Sequence, residues 1–384
     1  MKTELTLQDR TLTLFRYPKR ANETLQAWDA GDEYLINHLT EMNLEEGKNI
    51  LILNDSFGAL SCWFSQNHNV TMMSDSFIAH KAALKNLQRN RCQKVSFLNC
   101  LDDIPDNIDL VLMQLPKSNR LLTWQLSQLR RSLTEDCPVI AVNKAKEIHT
   151  STLNLFEKYL GETKTSLAWK KHRLVFSQPN CETVLPVEAE CQWQVEGENI
   201  TLSNYANVYS GESLDLGSRF MLQHIPTDPE LRHIIDLGCG NGVLSIKAGQ
   251  LNPQARITSI DESFMAVASA KKNLEQNLGT ERNIQVIANN CLDGMKENST
   301  YLVLCNPPFH QNNTITDHIA WQMFCDAKDA LNHDGKLLVV GNRHLEYPQK
   351  LARLFGREQV TIVAENNKFV IIEAIKNNDL KKRT

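Results

Sequence analysis

Ile234-Ile235-Asp236-Leu237-Gly238-Cys239-Gly240-Asn241-Gly242-Val243-Leu244-Ser245 decides the fold. An apolar run enters three glycines at alternate positions and leaves as a helical pattern, so a buried strand, a tight turn and a helix follow one another. Glycine at those turns lets the backbone approach a ligand closely. The GxGxG spacing differs from the GxGxxG of dinucleotide sites, where the third glycine packs a helix beneath a pyrophosphate. With Asp236 ahead of it, the loop suits a ligand that carries no phosphate. Next, Arg256-Ile257-Thr258-Ser259-Ile260 ends at Asp261, whose carboxylate can accept from both hydroxyls of a ribose. Ile284-Gln285-Val286-Ile287-Ala288 then ends near Asn289 and Asn290, placed for an adenine edge. Plainer readings exist: Asp261 as the N-cap of a helix beginning at Glu262, and Asn290 as a turn residue. Chain order favours S-adenosylmethionine as the ligand, held by Asp236, Gly238, Gly240, Gly242, Asp261 and Asn290.

Further along, the strand pattern Tyr301-Leu302-Val303-Leu304-Cys305 runs into Asn306-Pro307-Pro308-Phe309. An exocyclic amine on a nucleobase is planar and weakly nucleophilic, so an enzyme that methylates it must orient it. Asn306 offers a side-chain carbonyl to one amine hydrogen. Two prolines cannot join a regular ladder, which turns their carbonyls outward, and Pro307 is the candidate second acceptor. Pro308 completes the turn, and Phe309 presents a face on which a flipped base can stack. A proline-rich turn at a strand end is the competing structural reading. The four residues form the expected catalytic set.

The chain has 384 residues and 42% apolar content, enough for two buried cores. A net charge of −4 supplies no global field for nucleic acid, so any RNA grip must be local. Four basic runs are candidates: Lys19-Arg20, Arg130-Arg131, Lys170-Lys171-His172-Arg173 and Lys381-Lys382-Arg383. Lys170, Lys171 and Arg173 are preferred because Trp169 adjoins them. Ten scattered cysteines show neither CxxC pairing nor zinc-ligand spacing, so reduced thiols and no metal are expected. No apolar stretch is long enough to span a membrane and no signal-peptide core follows Met1, which predicts a cytoplasmic protein.

The chain also repeats itself. Ser76, Phe77, Ala79, Ala83, Lys85, Asn86, Leu87 and Asn90 each match the residue 187 positions later. Upstream, Ile50-Leu51-Ile52-Leu53-Asn54-Asp55-Ser56-Phe57-Gly58 stands where the second copy has its glycine loop, with one glycine left. Downstream, Leu110-Val111-Leu112-Met113-Gln114-Leu115-Pro116-Lys117 replaces the catalytic strand and its turn. Ser56 and Phe57 are expected to occupy the place of a cofactor. These patterns predict an α/β protein of two tandem Rossmann-like methyltransferase domains: a degenerate one over residues 1–185 and a catalytic one over residues 186–384. A hairpin over Gln192 to Leu202 and a lead-in carrying Asn207, Ser210, Leu214, Asp215, Gly217 and Arg219 are expected before the catalytic sheet.

Asp236-Leu237-Gly238-Cys239-Gly240-Asn241-Gly242, Asp261-Glu262-Ser263 and Asn306-Pro307-Pro308-Phe309-His310-Gln311 resemble the motifs of the RlmG/RsmC family of bacterial ribosomal RNA guanine-N2 methyltransferases. The whole chain is similar to the members that act on 23S RNA, more distantly to those that act on 16S RNA. That resemblance implies an inactive first domain, an active second one, S-adenosylmethionine as methyl donor and N2-methylguanosine in 23S rRNA as product. It implies naked or partly assembled RNA as substrate, because the guanine must be unpaired or flipped, and no obligate protein partner. The first domain would position RNA or only support the second. Methylation of 16S RNA, adenine-N6 or protein-glutamine methylation, a nicotinamide-dependent oxidoreductase and a non-catalytic RNA chaperone are the alternatives.

Overall fold

The computed structural model describes residues 2–180, 182, 184–308 and 314–377, side chains of 314–316 excepted. The chain divides into two compact units, Met1–Ala189 and Glu190–Thr384. Phe309, His310, Gln311 and the basic run Lys381-Lys382-Arg383 lie outside the described residues.

The first unit opens with an antiparallel hairpin, β1 (Glu4–Leu7) and β2 (Arg10–Thr13). Helix and strand then alternate through α1 (Ala30–Glu41), β3 (Asn49–Leu53), α2 (Ala59–Phe64), β4 (Asn69–Met73), α3 (Phe77–Arg89), β5 (Ser96–Leu98) and β6 (Leu110–Gln114). α4 (Asn119–Ser132), β7 (Val139–Lys144), α5 (Thr150–Tyr159), β8 (Thr163–Thr165) and β9 (His172–Ser177) complete it. Its sheet has the order β5-β4-β3-β6-β7-β9-β8, parallel except at β9.

The second unit repeats that order. A hairpin of β10 (Glu190–Gln194) and β11 (Thr201–Tyr205) precedes α6 (Leu216–Leu222), β12 (His233–Leu237), α7 (Val243–Leu251), β13 (Arg256–Asp261), α8 (Phe264–Leu278) and β14 (Ile284–Ala288). β15 (Thr300–Cys305), α9 (Thr314–Ala330), β16 (Leu331–Asn342), α10 (Tyr347–Phe355), β17 (Val360–Glu365) and β18 (Phe369–Ile375) follow. The sheet runs β14-β13-β12-β15-β16-β18-β17, with only β18 antiparallel to its neighbours. Each sheet is therefore doubly wound around its first long strand.

Parallel strands covered on both faces read as continuous apolar runs, and β12 is buried at every position. Successive side chains serve opposite faces. Ile234, Ile257, Leu302 and Leu304 join Ile246 and Leu274 in one core. Ile235, Leu237, Ile260 and Val303 join Phe324 and Leu351 in the other. Fully burying such a side chain contributes roughly 1.5–3 kcal/mol.

The residues shared by the two copies do the same work in both. Asn90 Oδ1 and Nδ2 take up the N–H and C=O of Thr13 at 2.8 and 2.9 Å, and Asn277 does so with Thr201 at 3.0 and 2.8 Å. Asn86 bonds the backbone of Phe15 and Phe57, as Asn273 bonds that of Ser203 and Asn241. In each unit one helix thus clasps the leading hairpin segment and the turn after the first sheet strand. Among the described residues no helix is long and apolar enough to cross a membrane.

Candidate active site

Strand order reverses at β12, which has β13 on one side and β15 on the other. In open α/β sheets the crevice at such a switch point, beyond the carboxyl ends of the strands, takes the ligand. Both sequence motifs leave the sheet there, since Leu237 pairs with Cys305 in the last rung.

Gly238, Gly240 and Gly242 have φ of +75°, +52° and +83°, conformations that side chains rarely adopt. Gly242 opens α7, and a Cβ there would meet Ala270 at 3.2 Å. Around Gly240 no atom lies within 4 Å of an added Cβ, so this part of the loop faces open space. The N–H groups of Gly238 and Cys239 both donate to Ile260 O, which binds the loop to β13.

Asp236 lies beneath this loop, fully buried one residue before the end of β12. Its Oδ2 accepts from Ser245 N at 3.1 Å and Ser245 Oγ at 2.6 Å, tying β12 to α7. Its Oδ1 is buried and finds no partner among the described residues. Burial pushes this carboxyl up to about 6, against the lowering effect of the two Ser245 bonds.

Asp261 closes β13. Its Oδ2 accepts from Gly240 N at 2.9 Å and its Oδ1 from Ser263 N at 3.0 Å. The helix after it begins at Phe264 and is capped by Ser263, whose hydroxyl accepts from Ala266 N, so the N-cap reading of Asp261 fails. The backbone of Glu262 bonds Asp261 as well, and a carboxylate with about four acceptor sites keeps room for a further donor. Burial raises its pKa, and the backbone bonds oppose that. Asn290 begins a turn after β14 and is 5% exposed. Its Oδ1 accepts from Gln322 Nε2 at 3.2 Å. Gln322, on α9, carried no motif signal and was not singled out by the sequence.

Asn306 follows β15 directly. Its Nδ2 donates to Asp215 Oδ2 at 3.0 Å and to Ser218 Oγ at 2.9 Å. A carboxylate oxygen can only accept, so the amide nitrogen must face Asp215. The amide oxygen is left buried and without a partner among the described residues. Pro307 is buried and Pro308 exposed. Asp215, which the sequence placed in the lead-in without a role, is also the N-cap of α6 and accepts from Ser218 N at 2.9 Å. The lead-in is therefore built into the site. Cys239 and Cys305 are buried thiols whose pKa burial raises well above the usual range, which fits packing rather than nucleophilic work.

A scan of the chain against family models matches the RLMG N-terminal domain over residues 2–181 and the methyltransferase small domain over residues 199–373. The ribosomal RNA large subunit methyltransferase G of Vibrio atlanticus (strain LGP32) is 72% identical over 374 residues, covering 97% of this chain and 98% of the relative. That of Aliivibrio fischeri (strain MJ11) is 70% identical over 377 residues, covering 98% and 99%. The chain belongs to the ribosomal RNA large subunit methyltransferase G family. It is a methyltransferase, and the resemblance read from its motifs holds. Among solved structures, the T. thermophilus 16S rRNA N2 methyltransferase RsmC, determined with AdoMet and guanosine, superposes with a TM-score of 0.78 at 19% identity, covering 98% of each chain. It shares the fold.

In the first unit of this family member, the place of the glycine loop is occupied by the chain's own polar groups. Asn54 holds a φ of +64° where the second unit has Gly238, and its N–H donates to Met73 O as that of Gly238 does to Ile260 O. Asn54 Nδ2 donates to Gln114 O and Gln125 Oε1, and Gln125 Nε2 returns a bond to Asn54 Oδ1. Ser56 Oγ donates to Gln114 Oε1, and Gln114 Nε2 to Asp32 Oδ1. The acceptor that Asn306 leaves free is satisfied internally at Gln114. Phe57 departs from expectation. Its ring packs on the hydrophobic core with the Arg16 guanidinium 4.9 Å from its centroid, so Asn54, Ser56 and Gln125 do the filling.

Lys170, Lys171 and Arg173 are exposed near the turn between β8 and β9. Lys170 lies 4.4 Å from the Trp169 ring centroid and pairs with Glu33 at 2.8 Å, which leaves Lys171 and Arg173 as the stronger cations for a partner. The Arg130-Arg131 run fails as a patch at Arg130, which is buried and donates to Asn180 O and Lys158 O.

Proposed function

We propose that the second unit methylates the exocyclic N2 of a guanine in 23S ribosomal RNA, yielding N2-methylguanosine, with S-adenosylmethionine as donor. The observation that carries this reading is the buried Oδ1 of Asn306, which has no partner among the described residues and is held at the switch point of the sheet. Burying an unsatisfied acceptor costs about 1–3 kcal/mol, a cost relieved when a donor arrives. An exocyclic amine is such a donor. The names of the relatives give the RNA class, and guanosine in the structural neighbour's complex accords with the base.

The crevice fits the methyl donor. Open space at Gly240 and the acceptor capacity left on Asp261 are what a ligand bearing ribose hydroxyls would meet. Asp236, Gly238, Gly240, Gly242, Asp261 and Asn290 would hold it. When bound, S-adenosylmethionine supplies a sulfonium methyl: the amine's lone pair forms the N–C bond, the C–S pair returns to sulfur as a neutral thioether, and the surplus amine proton passes to water. Asn306 accepts one amine hydrogen and Pro307 O the other, which keeps electron density on nitrogen and fixes its direction. Pro308 shapes the turn, and the stacking role is assigned by sequence to Phe309, outside the described residues. His310 is assigned no role as a base.

Because the base must leave its stack, at a cost of a few kcal/mol, naked or partly assembled RNA in the cytoplasm is the substrate. Lys171 and Arg173 of the first unit grip its backbone. The test is transfer of labelled methyl from S-adenosylmethionine to naked 23S RNA, naked 16S RNA and assembled subunits, with nucleoside digestion. N2-methylguanosine on naked 23S RNA, lost in Asn306→Ala, is expected. Label confined to 16S RNA, to adenine or to protein would overturn the substrate.

A further inference from the structure

We propose that Asp215 and Ser218 are positioning residues that hold the Asn306 amide in the one orientation that presents its oxygen, rather than its NH2, to the substrate amine. This rests on the reading of Asn306 as the amine's acceptor. An asparagine amide is nearly symmetric in shape, and rotation by half a turn exchanges acceptor and donor. Flipped, Asn306 would set NH2 against NH2 and repel the substrate. Nothing in Asn306 itself chooses between the two states.

The choice is made by α6. Asp215 Oδ2 accepts from Asn306 Nδ2 at 3.0 Å, and Ser218 Oγ accepts from the same nitrogen at 2.9 Å. The two acceptors account for both amide hydrogens. The pair is itself fixed, since Asp215 Oδ2 also accepts from Ser218 N at 2.9 Å and Ser218 is 7% exposed. Tyr209 hydrogen-bonds Asp215 as well. The lead-in, which comes 88 and 91 residues before Asn306 in the chain, thus sets its polarity.

The experiment uses the full-length protein, naked 23S RNA and saturating S-adenosylmethionine. Asp215→Ala is expected to lower kcat by about 10–100-fold, the scale of a misplaced catalytic group, with KM for RNA and the calorimetric Kd for S-adenosylmethionine changed less than about threefold. Asp215→Asn should keep most of the activity, because one amide oxygen can accept from both Ser218 N and Asn306 Nδ2, and asparagine is an equally good N-cap. Asn306→Asp alone sets two carboxylates against each other and should be as poor as Asp215→Ala. An Asp215→Ala protein with normal kcat, or an Asp215→Asn protein as poor as Asp215→Ala, overturns the proposal. If Asn306→Ala is itself fully active, the reading of Asn306 as acceptor falls instead, and the two failures are told apart by that variant.

Discussion

Asp236 shows how a residue chosen for contact with a ligand can act mainly from below. Its sequence position, directly ahead of the glycines, suggested a cofactor contact. The structure buries it and gives both Ser245 donors to one oxygen. The proton then belongs on the other oxygen. With a folded pKa of about 6 against 3.8 for the free side chain, the native state binds this proton more tightly than the unfolded chain does. The stabilisation is therefore full below the unfolded value and is lost as pH rises through about 6. Between those limits, wild type should lose on the order of 3 kcal/mol more stability than Asp236→Asn, since each pKa unit is worth about 1.4 kcal/mol. Urea midpoints of the two proteins across that range check this, and parallel profiles would refute it.

At the scale of elements, the two helices α3 and α8 do the same structural work with the same asparagines. Asn86 and Asn273 are fully buried, and each bonds a hairpin segment and the turn after the first sheet strand. Truncating either leaves two or more buried partners unpaired, so Asn86→Ala and Asn273→Ala should each cost roughly 2–5 kcal/mol in denaturation. They should differ in function. Asn273 holds the carbonyl of Asn241 inside the glycine loop, so its loss should also weaken S-adenosylmethionine binding. Asn86 holds Phe57 in the first unit, and its loss should leave that affinity unchanged. Equal effects on ligand affinity in a calorimetric titration would contradict this division of labour.

For the whole molecule, one sheet order occurs twice, with different groups at the two switch points. In the first unit the groups that would meet a ligand are bonded to each other: Asn54 to Gln125, Ser56 to Gln114 and Gln114 to Asp32. Calorimetry should give one S-adenosylmethionine per chain, and a stoichiometry near two would show the first crevice to be functional. The first unit's remaining asset is exposed charge. Lys171→Ala with Arg173→Ala should weaken RNA binding across unrelated sequences and reduce the magnitude of the slope of log affinity against log salt by about one for each cation removed. An unchanged slope would remove this turn from the RNA interface.

Local sequence determined the architecture, because apolar strand runs, alternate glycines and the order of Asp236, Asp261, Asn290 and Asn306 along the chain are properties of short segments. It also showed the duplication, since eight identities at one offset survive in a helix that both copies still need as a clasp. Only the tertiary structure decided that the amide nitrogen of Asn306 is bonded while its oxygen has no partner among the described residues, that Asp215, Ser218 and Gln322 belong to the site, that Asp236 supports the loop from beneath, and that Phe57 turns into the core. The physical reason is that a hydrogen-bond donor selects its partner by distance and direction. Residues 88 to 91 positions apart become neighbours only when the sheet brings the end of β15 against the start of α6.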